Sequence, residues 1–445
     1  MCEPAILGIL LSRRKRLASR PRILPVRRRA ALGVPDHHPP HGVSVIPDAP
    51  QKRDREAVAV LGVGLFTNAI WDMLSVVVPL YAVAVGLNAA QIGMIVAARS
   101  LLPALLSIHG GILMDELGTR RVLICVAVAS AVLPLLIPLS GWFTALLALQ
   151  LLLGLATGLA MAASQTWSLQ TSRGMTALLA RYSIATRVGT FIGPIVVGAA
   201  WDLFGAWIAF TCVAICSGGT IAAMTYCMPR DALRGPSPRP VGGVSTLVPR
   251  WQPHKEALLL ALVPAVAFVL AASFLRGASG AIQSSLYVVH LGNIGLSGTI
   301  IGTLVAVAEL SGVLGSMVAA PMERRLGSNR LVLACIVVSI LSITLTPMIG
   351  MLLWLLFVAC FVRGVAQGMS QPLMYSILSA GVPAHRQGSS VGLRNAVVRL
   401  SSIVTPAAMG AIAEVWGIEA SFYAIGACYL TATGVLAMAG RQLRR

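Results

Sequence analysis

Charge is scarce in this sequence. Only 11% of its 445 residues are Asp, Glu, Lys or Arg, against 57% hydrophobic, and the mean hydropathy is +0.83. A soluble chain carries about 25% charged residues, so this one has too little polar surface to cover itself in water. Soluble enzyme folds are thereby excluded as the main architecture. The alternation of apolar and polar residues over segments of about 10 that marks a membrane β-barrel is missing as well. So are the clustered residues of a membrane-embedded enzyme: there is no H-x-x-x-D, H-E-x-x-H or G-x-S-x-G constellation and no P-loop. No two of the eight cysteines form a close C-x-x-C pair, and all but Cys2 fall in apolar runs. They read as small hydrophobic residues, with no metal, disulfide or cofactor implied. Lysine is nearly absent, three against 31 Arg, a bias in usage to which no function is attached.

What the chain does have is long apolar runs. From Val58 to Gly440 short polar or Gly/Pro breaks separate twelve expected spans, near 58–85, 92–113, 122–140, 143–168, 177–200, 206–228, 262–290, 299–320, 331–350, 352–378, 391–413 and 420–440. Each is close to the roughly 20 residues that cross a bilayer as helix. The expected fold is an all-α polytopic membrane protein, with a basic, disordered tail over 1–57, six spans over 58–228, a linker over 229–256, six spans over 257–440, and a short tail over 441–445. In the first tail an apolar stretch, Ala5–Leu11, precedes the run Arg13–Arg16, the reverse of a secretory signal. The next Met is Met73, inside the first span, so a start at a downstream non-Met codon is an alternative that Met1 or Cys2 at the mature N-terminus would exclude.

The net charge of +19 sorts by side. Twelve of the 34 Lys+Arg precede the first span; Arg120, Arg121, Arg173, Arg181, the linker arginines, Arg324, Arg325, Arg330, Arg386 and the terminal arginines follow on the same side. Loops on the other side have no Lys or Arg, only Asp202, Glu414 and Glu419. The positive-inside rule therefore predicts a multi-pass protein of the cytoplasmic (inner) membrane with both termini cytoplasmic. The two sides are called the basic and the acidic face below.

The halves repeat at an offset of 209–212 residues. Gln91-Ile92-Gly93 lies over Ile300-Ile301-Gly302, Gly118 over Gly327, and Gly154 and Gly158 over Gly364 and Gly368. Arg187 falls on Arg399, Pro194 on Pro406, Gly198 on Gly410, Asp202 on Glu414 and Gly205 on Gly417. Shared composition does not align an Arg, a Pro and an acid in register, so the expectation is two pseudo-symmetric six-helix bundles, with a site between them near the midplane.

Between spans 2 and 3 the chain reads G-I-L-M-D-E-L-G-T-R-R-V-L, Gly111 to Leu123. This resembles the signature loop of the major facilitator superfamily, with Gly111, Asp115, Gly118, Arg120 and Arg121 at its key places; a weaker copy keeps Gly327 and Arg330. The resemblance implies a loop that latches the cytoplasmic side, and a transporter rather than an enzyme. Span 5 carries R-V-G-T-F-I-G-P-I-V-V-G, whose Gly189, Gly193, Pro194 and Gly198 are similar to the antiporter motif of family exporters. The fold-neutral reading of the same residues is a helix-packing seam. Where many members have a span 4 Arg linked to proton transfer, this chain has Gln150.

Ionisable residues within a bilayer are functional candidates by default. Asp72 and Glu309 are the expected proton-coupling sites, each with a bland alternative as a structural ion pair, Asp72 with an Arg such as Arg99 and Glu309 with Arg276 or Arg363. Arg99, Arg276, Arg363, Arg187, Arg399, Gln283 and Trp71 are the expected cavity residues. Spans 3, 6, 9 and 12 carry no such group, as the resemblance implies for outer supports. The expected partners are membrane lipid, a small-molecule substrate and protons, without nucleic acid, for a monomer. Two functions compete: proton-coupled export of a small organic molecule, and proton-coupled uptake of an organic anion. A non-transporting sensor with a basic tail is the third.

Overall fold

A computed structural model describes residues 50–172, 176–226, 260–382 and 387–442; within these, the side chains of 50–54, 107–112, 115–116, 176, 260, 379, 387–389 and 440–442 stand outside the description. The expected 229–256 linker and nearly all of the 1–57 tail lie outside the described residues. Every regular element described is helical. The first four helices are α1 Pro50–Ala84, α2 Ala89–Leu117, α3 Thr119–Leu136 and α4 Phe143–Ser172.

The helix Thr176–Tyr226 runs for 51 residues, which straight would measure about 76 Å at 1.5 Å per residue, far beyond an apolar core of about 30 Å. It breaks at Gly205, where φ is 76° and ψ −169°. Both arms lie along α1 but in opposite senses. Gly64 meets Tyr182 and Gly193 meets Ala69, a parallel pairing, while Gly62 meets Ala223 and Gly219 meets Phe66, an antiparallel one. The chain therefore reverses at a single glycine, and 176–204 and 206–226 are two crossings, α5 and α6.

The second half follows as α7 (264–293), α8 Gly298–Leu326, α9 Ser328–Thr344, α10 Leu353–Gly381, α11 Gln387–Trp416 and α12 Ile418–Gln442. Ten helices among the described residues are long and apolar enough to cross a membrane. The reversal at Gly205 divides one of these into two arms, and Ser328–Thr344 is a further, shorter apolar helix of 17 residues.

One boundary is corrected. The first helix starts at Pro50 rather than at residue 58. Proline suits a first helical position, where no N–H is needed, and Gln51–Glu56 consists mostly of good helix formers. Glu56 also gains a partner across the basic face, Arg120 at 3.1 Å.

The duplication is visible in the backbone. Three pairs of glycines at the 209–212 offset turn the chain with positive φ: Gly86 and Gly295 (78° and 88°), Gly118 and Gly327 (88° and 79°), Gly205 and Gly417 (76° and 85°). An L side chain at those angles is strained, so the repeat is kept where the backbone allows no other residue cheaply. The first pair is a repeat that composition alone conceals.

Packing decides which face is closed. One apolar core runs through both halves, joining Ile70, Val77 and Leu80 of α1, Ile95 of α2 and Val197 of α5 to Leu291, Ile301 and Met409 of the second half. All these first-half residues lie from the middle of the spans to the acidic face. At the basic face the first half clusters on itself around Val60, Val63, Met114, Leu123, Ala163, Trp167, Tyr182 and Met224, with no second-half residue in that cluster among the described residues. The bundles thus share a core at one end and part at the other.

Candidate functional site

At the acidic face the halves meet backbone to backbone along two symmetry-related seams. A Cβ on Gly93 of α2 would run into the Pro406 carbonyl of α11, and one on Gly302 of α8 into the Pro194 carbonyl of α5. Gly198 of α5 abuts Gly298 of α8 in the same way. Asp202 completes the seal. Its Oδ1 accepts from Gly298 N at 2.7 Å, and its Oδ2 accepts from Thr299 N at 2.7 Å and Thr299 Oγ1 at 2.6 Å. A carboxylate from one half thus caps a helix N-terminus of the other, where unpaired N–H groups and the helix dipole favour an anion. Its repeat mate Glu414 approaches the N-terminus of α2 more loosely, accepting from Ala90 N at 3.4 Å. The loops without arginine carry their acids where these close the molecule.

Below the seal sits a band of charge. Arg187 of α5 donates to Glu309 of α8 at 3.4 Å, and the two side chains keep 41% and 34% of their accessible surface. Asp72 of α1 is half-buried. It has Glu309, Arg99 and Arg187 as electrostatic neighbours and makes no side-chain hydrogen bond among the described residues. Arg99 is buried and donates to the Trp71 carbonyl at 2.7 Å, its guanidinium 3.8 Å from the centre of the Trp71 indole. Arg399 reaches the same ring from α11, at 4.8 Å. Two bland alternatives are corrected here. Arg99 turns to a backbone carbonyl and an indole rather than to an ion pair with Asp72, and the partner of Glu309 is Arg187, not Arg276 or Arg363. Helix rotation, which no run of apolar residues reports, sets both choices.

Arg276 and Arg363 are held by neutral groups. Arg276 donates to the Gln367 carbonyl, Ser370 Oγ (3.1 Å) and Gln371 Oε1 (3.0 Å), which ties α7 to α10. Arg363 is buried and donates to Gln283 Oε1. Gln283 opens a π-type turn, Gln283–Tyr287, that interrupts α7; such widened turns often occur at functional sites. Its amide nitrogen is buried without a partner. Sequence reading missed this turn and the buried His290, whose Nε2 has no partner among the described residues. Arg394 Nε and both amide atoms of the fully buried Gln150 are likewise unpartnered there; both residues had a signal in the sequence, Arg394 as a charge within span 11 and Gln150 as the residue in place of a family Arg.

In the loop of the signature resemblance, Gly118 takes φ 88° between α2 and α3, and Arg120 pairs with Glu56 and lies over Trp167 at 5.4 Å. Arg121 is exposed. The surroundings of Gly111 and the side chain of Asp115 fall outside the description. The span 5 glycines form a seam: Gly189 abuts the Leu65 carbonyl, Gly193 abuts Ala69 and Met73, and Gly198 abuts Gly298.

A family model described as the Major Facilitator Superfamily matches residues 60–275 and 269–443. Among solved structures the chain is similar to the nucleoside transporter NupG, with a TM-score of 0.69 and 14% identity over 86% of this chain and 98% of that one. It is similar also to a bacterial homologue of the human lysosomal transporter Spinster, in an inward-facing and occupied conformation, at 0.65 and 17% over 88% and 98%. A POT family transporter in complex with 5-aminolevulinic acid gives 0.65 and 12% over 88% and 97%. No curated protein matches the sequence. At these identities the structural likeness establishes the fold.

Proposed function

The chain belongs to the major facilitator superfamily, and on that premise we propose that this secondary transporter couples protons to the movement of a small organic molecule by rocking its two bundles. The observation that carries the reading is the Arg187–Glu309 contact, 3.4 Å long and made between helices of opposite halves. A carboxylate that holds the halves together when ionised, and lets go when protonated, links proton binding to the rocking equilibrium. The link is reciprocal: whatever parts the halves also changes the affinity for the proton. Asp72 lies in the field of the same pair and is the second proposed proton site. With the basic face assigned to the cytoplasm, the passage opens inward and is sealed outward by Asp202 and Glu414.

Export is the direction we take from the span 5 resemblance, although the same glycines already serve as a packing seam. Uptake of an organic anion is the second reading, favoured by the surplus of arginines over acids at the centre. The proposal further places the protein in the inner membrane as a monomer.

The test is dye-reported proton flux in energised inside-out vesicles, wild type beside Glu309→Gln and Asp72→Asn, with lipophilic cations in one series and small organic anions in another. Substrate-triggered loss of the acid gradient that disappears in the variants supports proton antiport. Tight vesicles that respond to neither series count against it.

A further inference from the structure

The Arg187–Glu309 pair has a symmetry mate that lacks its acid. At the 212-residue offset Arg187 falls on Arg399, and at the 209-residue offset Glu309 of α8 falls on Ser100 of α2. The backbone keeps this correspondence, since Gly302 abuts Pro194 as Gly93 abuts Pro406. In one half-site, then, a guanidinium meets a carboxylate of the opposite bundle. In the other, Arg399 crosses from α11 to a turn carrying Arg99 and Ser100. It makes no hydrogen bond or ion pair among the described residues and lies 4.8 Å from the centre of the Trp71 indole.

That indole is already covered at 3.8 Å by Arg99, which feels Arg399 as a like charge. Neither guanidinium can shed its proton, and unpaired cations are costly away from water. The indole face offsets part of the cost, and Asp72, beside Trp71 in sequence, offsets part more. Glu309 is engaged by Arg187. One negative charge is missing from the band. A further unsatisfied group lies nearby: Gln150, its amide unpartnered among the described residues, is one turn before Gly154, where an added Cβ would run into the Arg99 backbone.

We propose that Trp71, Arg99 and Arg399 form a subsite for the carboxylate or phosphate of the transported solute, which takes the place of the acid missing from the second repeat. The solute is thereby an organic anion. Guanidinium forks match both anions with paired N–H groups. Because Arg99 belongs to one half and Arg399 to the other, a bound anion joins the bundles at the centre. This inference rests on the transporter reading and names its substrate class.

The test uses the full chain in detergent at fixed ionic strength, titrated separately with sodium phosphate, sodium benzoate and tetraphenylphosphonium chloride, with tryptophan fluorescence and unfolding temperature as readouts. The expected result is a saturable response to phosphate or benzoate and none to the cation. Arg399→Gln weakens it at least tenfold, and Arg399→Lys weakens it less. Phosphate alone or benzoate alone identifies which anion the subsite takes. Should Arg399→Gln not fold, Ser100→Asp restores the missing acid and is expected to abolish the anion response while raising the unfolding temperature. An anion response equal in wild type and Arg399→Gln overturns the subsite, as does no saturable response to either anion. Vesicle flux separates the two levels: solute-driven proton movement untouched by Arg399→Gln overturns the subsite and leaves the transporter reading. Anion binding without any proton movement does the reverse for the coupling.

Discussion

Removing the carboxylate of Asp202 should loosen the seal of the acidic face without unfolding either bundle. Three donors converge on it, Gly298 N, Thr299 N and Thr299 Oγ1, all at 2.6–2.7 Å. Charge-assisted bonds contribute about 1.5–3 kcal/mol each where water is excluded, but Asp202 is exposed and water replaces much of what is lost. Loss of a helix cap, about 0.5–2 kcal/mol, is the better scale. The donors belong to α8 and the acceptor to α5, so the contact exists only while the halves are closed at this face. A loss of about 1–2 kcal/mol therefore shifts the rocking equilibrium by roughly 5–30-fold, at 1.4 kcal/mol per factor of ten. Spin labels at Leu139 and Met351, both exposed on acidic-face loops of opposite halves, would read it in a cysteine-free background. Asp202→Ala should enlarge the long-distance population by that factor, Asp202→Asn by less, and Glu414→Ala least, since Glu414 makes one contact of 3.4 Å. Distances unchanged in Asp202→Ala would refute the idea that this cap holds the face closed.

Gly302→Ala pushes a Cβ into the Pro194 carbonyl of the other half, an overpacking of about 1–3 kcal/mol, and should lengthen the same label distance. Gly364→Ala meets the Ala308 carbonyl within its own half, so it should lower the unfolding temperature and leave that distance alone. Gly118→Ala meets no neighbouring atom and tests backbone strain by itself; at φ 88° it should cost about 1–3 kcal/mol in thermal unfolding. Glu309→Gln keeps the shape but not the charge of the Arg187 contact, so gradient-driven accumulation should fail while solute exchange at equal pH persists. If accumulation survives, Glu309 is not a coupling residue. Asp115→Asn is expected to slow cycling and spare substrate binding, compared by transport rate and by direct titration; an unchanged rate would remove the switch role from that loop.

The parting of the bundles gives the two classes of glycine different consequences. Gly154, Gly189, Gly364 and Gly368 let helices of one half touch backbone to backbone, close approaches of the kind that hold membrane helices together where lipid removes the hydrophobic drive. Gly93, Gly198 and Gly302 do the same between halves. In the proposed rocking these contacts form and break with each cycle, so the same residue type would serve stability in one place and gating in another.

Much of this protein follows from sequence alone, because a bilayer imposes its demands residue by residue. Backbone groups in lipid must pair within their own segment, so apolar runs of about 20 residues are helices whatever they pack against. Arginine-rich and arginine-free loops must alternate, and a duplication leaves its glycines, prolines and charges in register. The all-helical membrane fold, the internal duplication and the candidate charges were legible on those grounds. The partners of the charges were not. Arg187 meets Glu309, and Arg99 and Arg399 share Trp71, because of how α1, α2, α5, α8 and α11 are rotated about their axes. Helices apolar nearly all round carry little amphipathic signal of rotation, and long side chains choose among acceptors several ångströms apart. Which face is closed was equally beyond the sequence, since the same spans and loops are compatible with closure at either face. Only the tertiary packing, with Asp202 on the end of α8 and a separate core at the basic face, decides which of the two is seen.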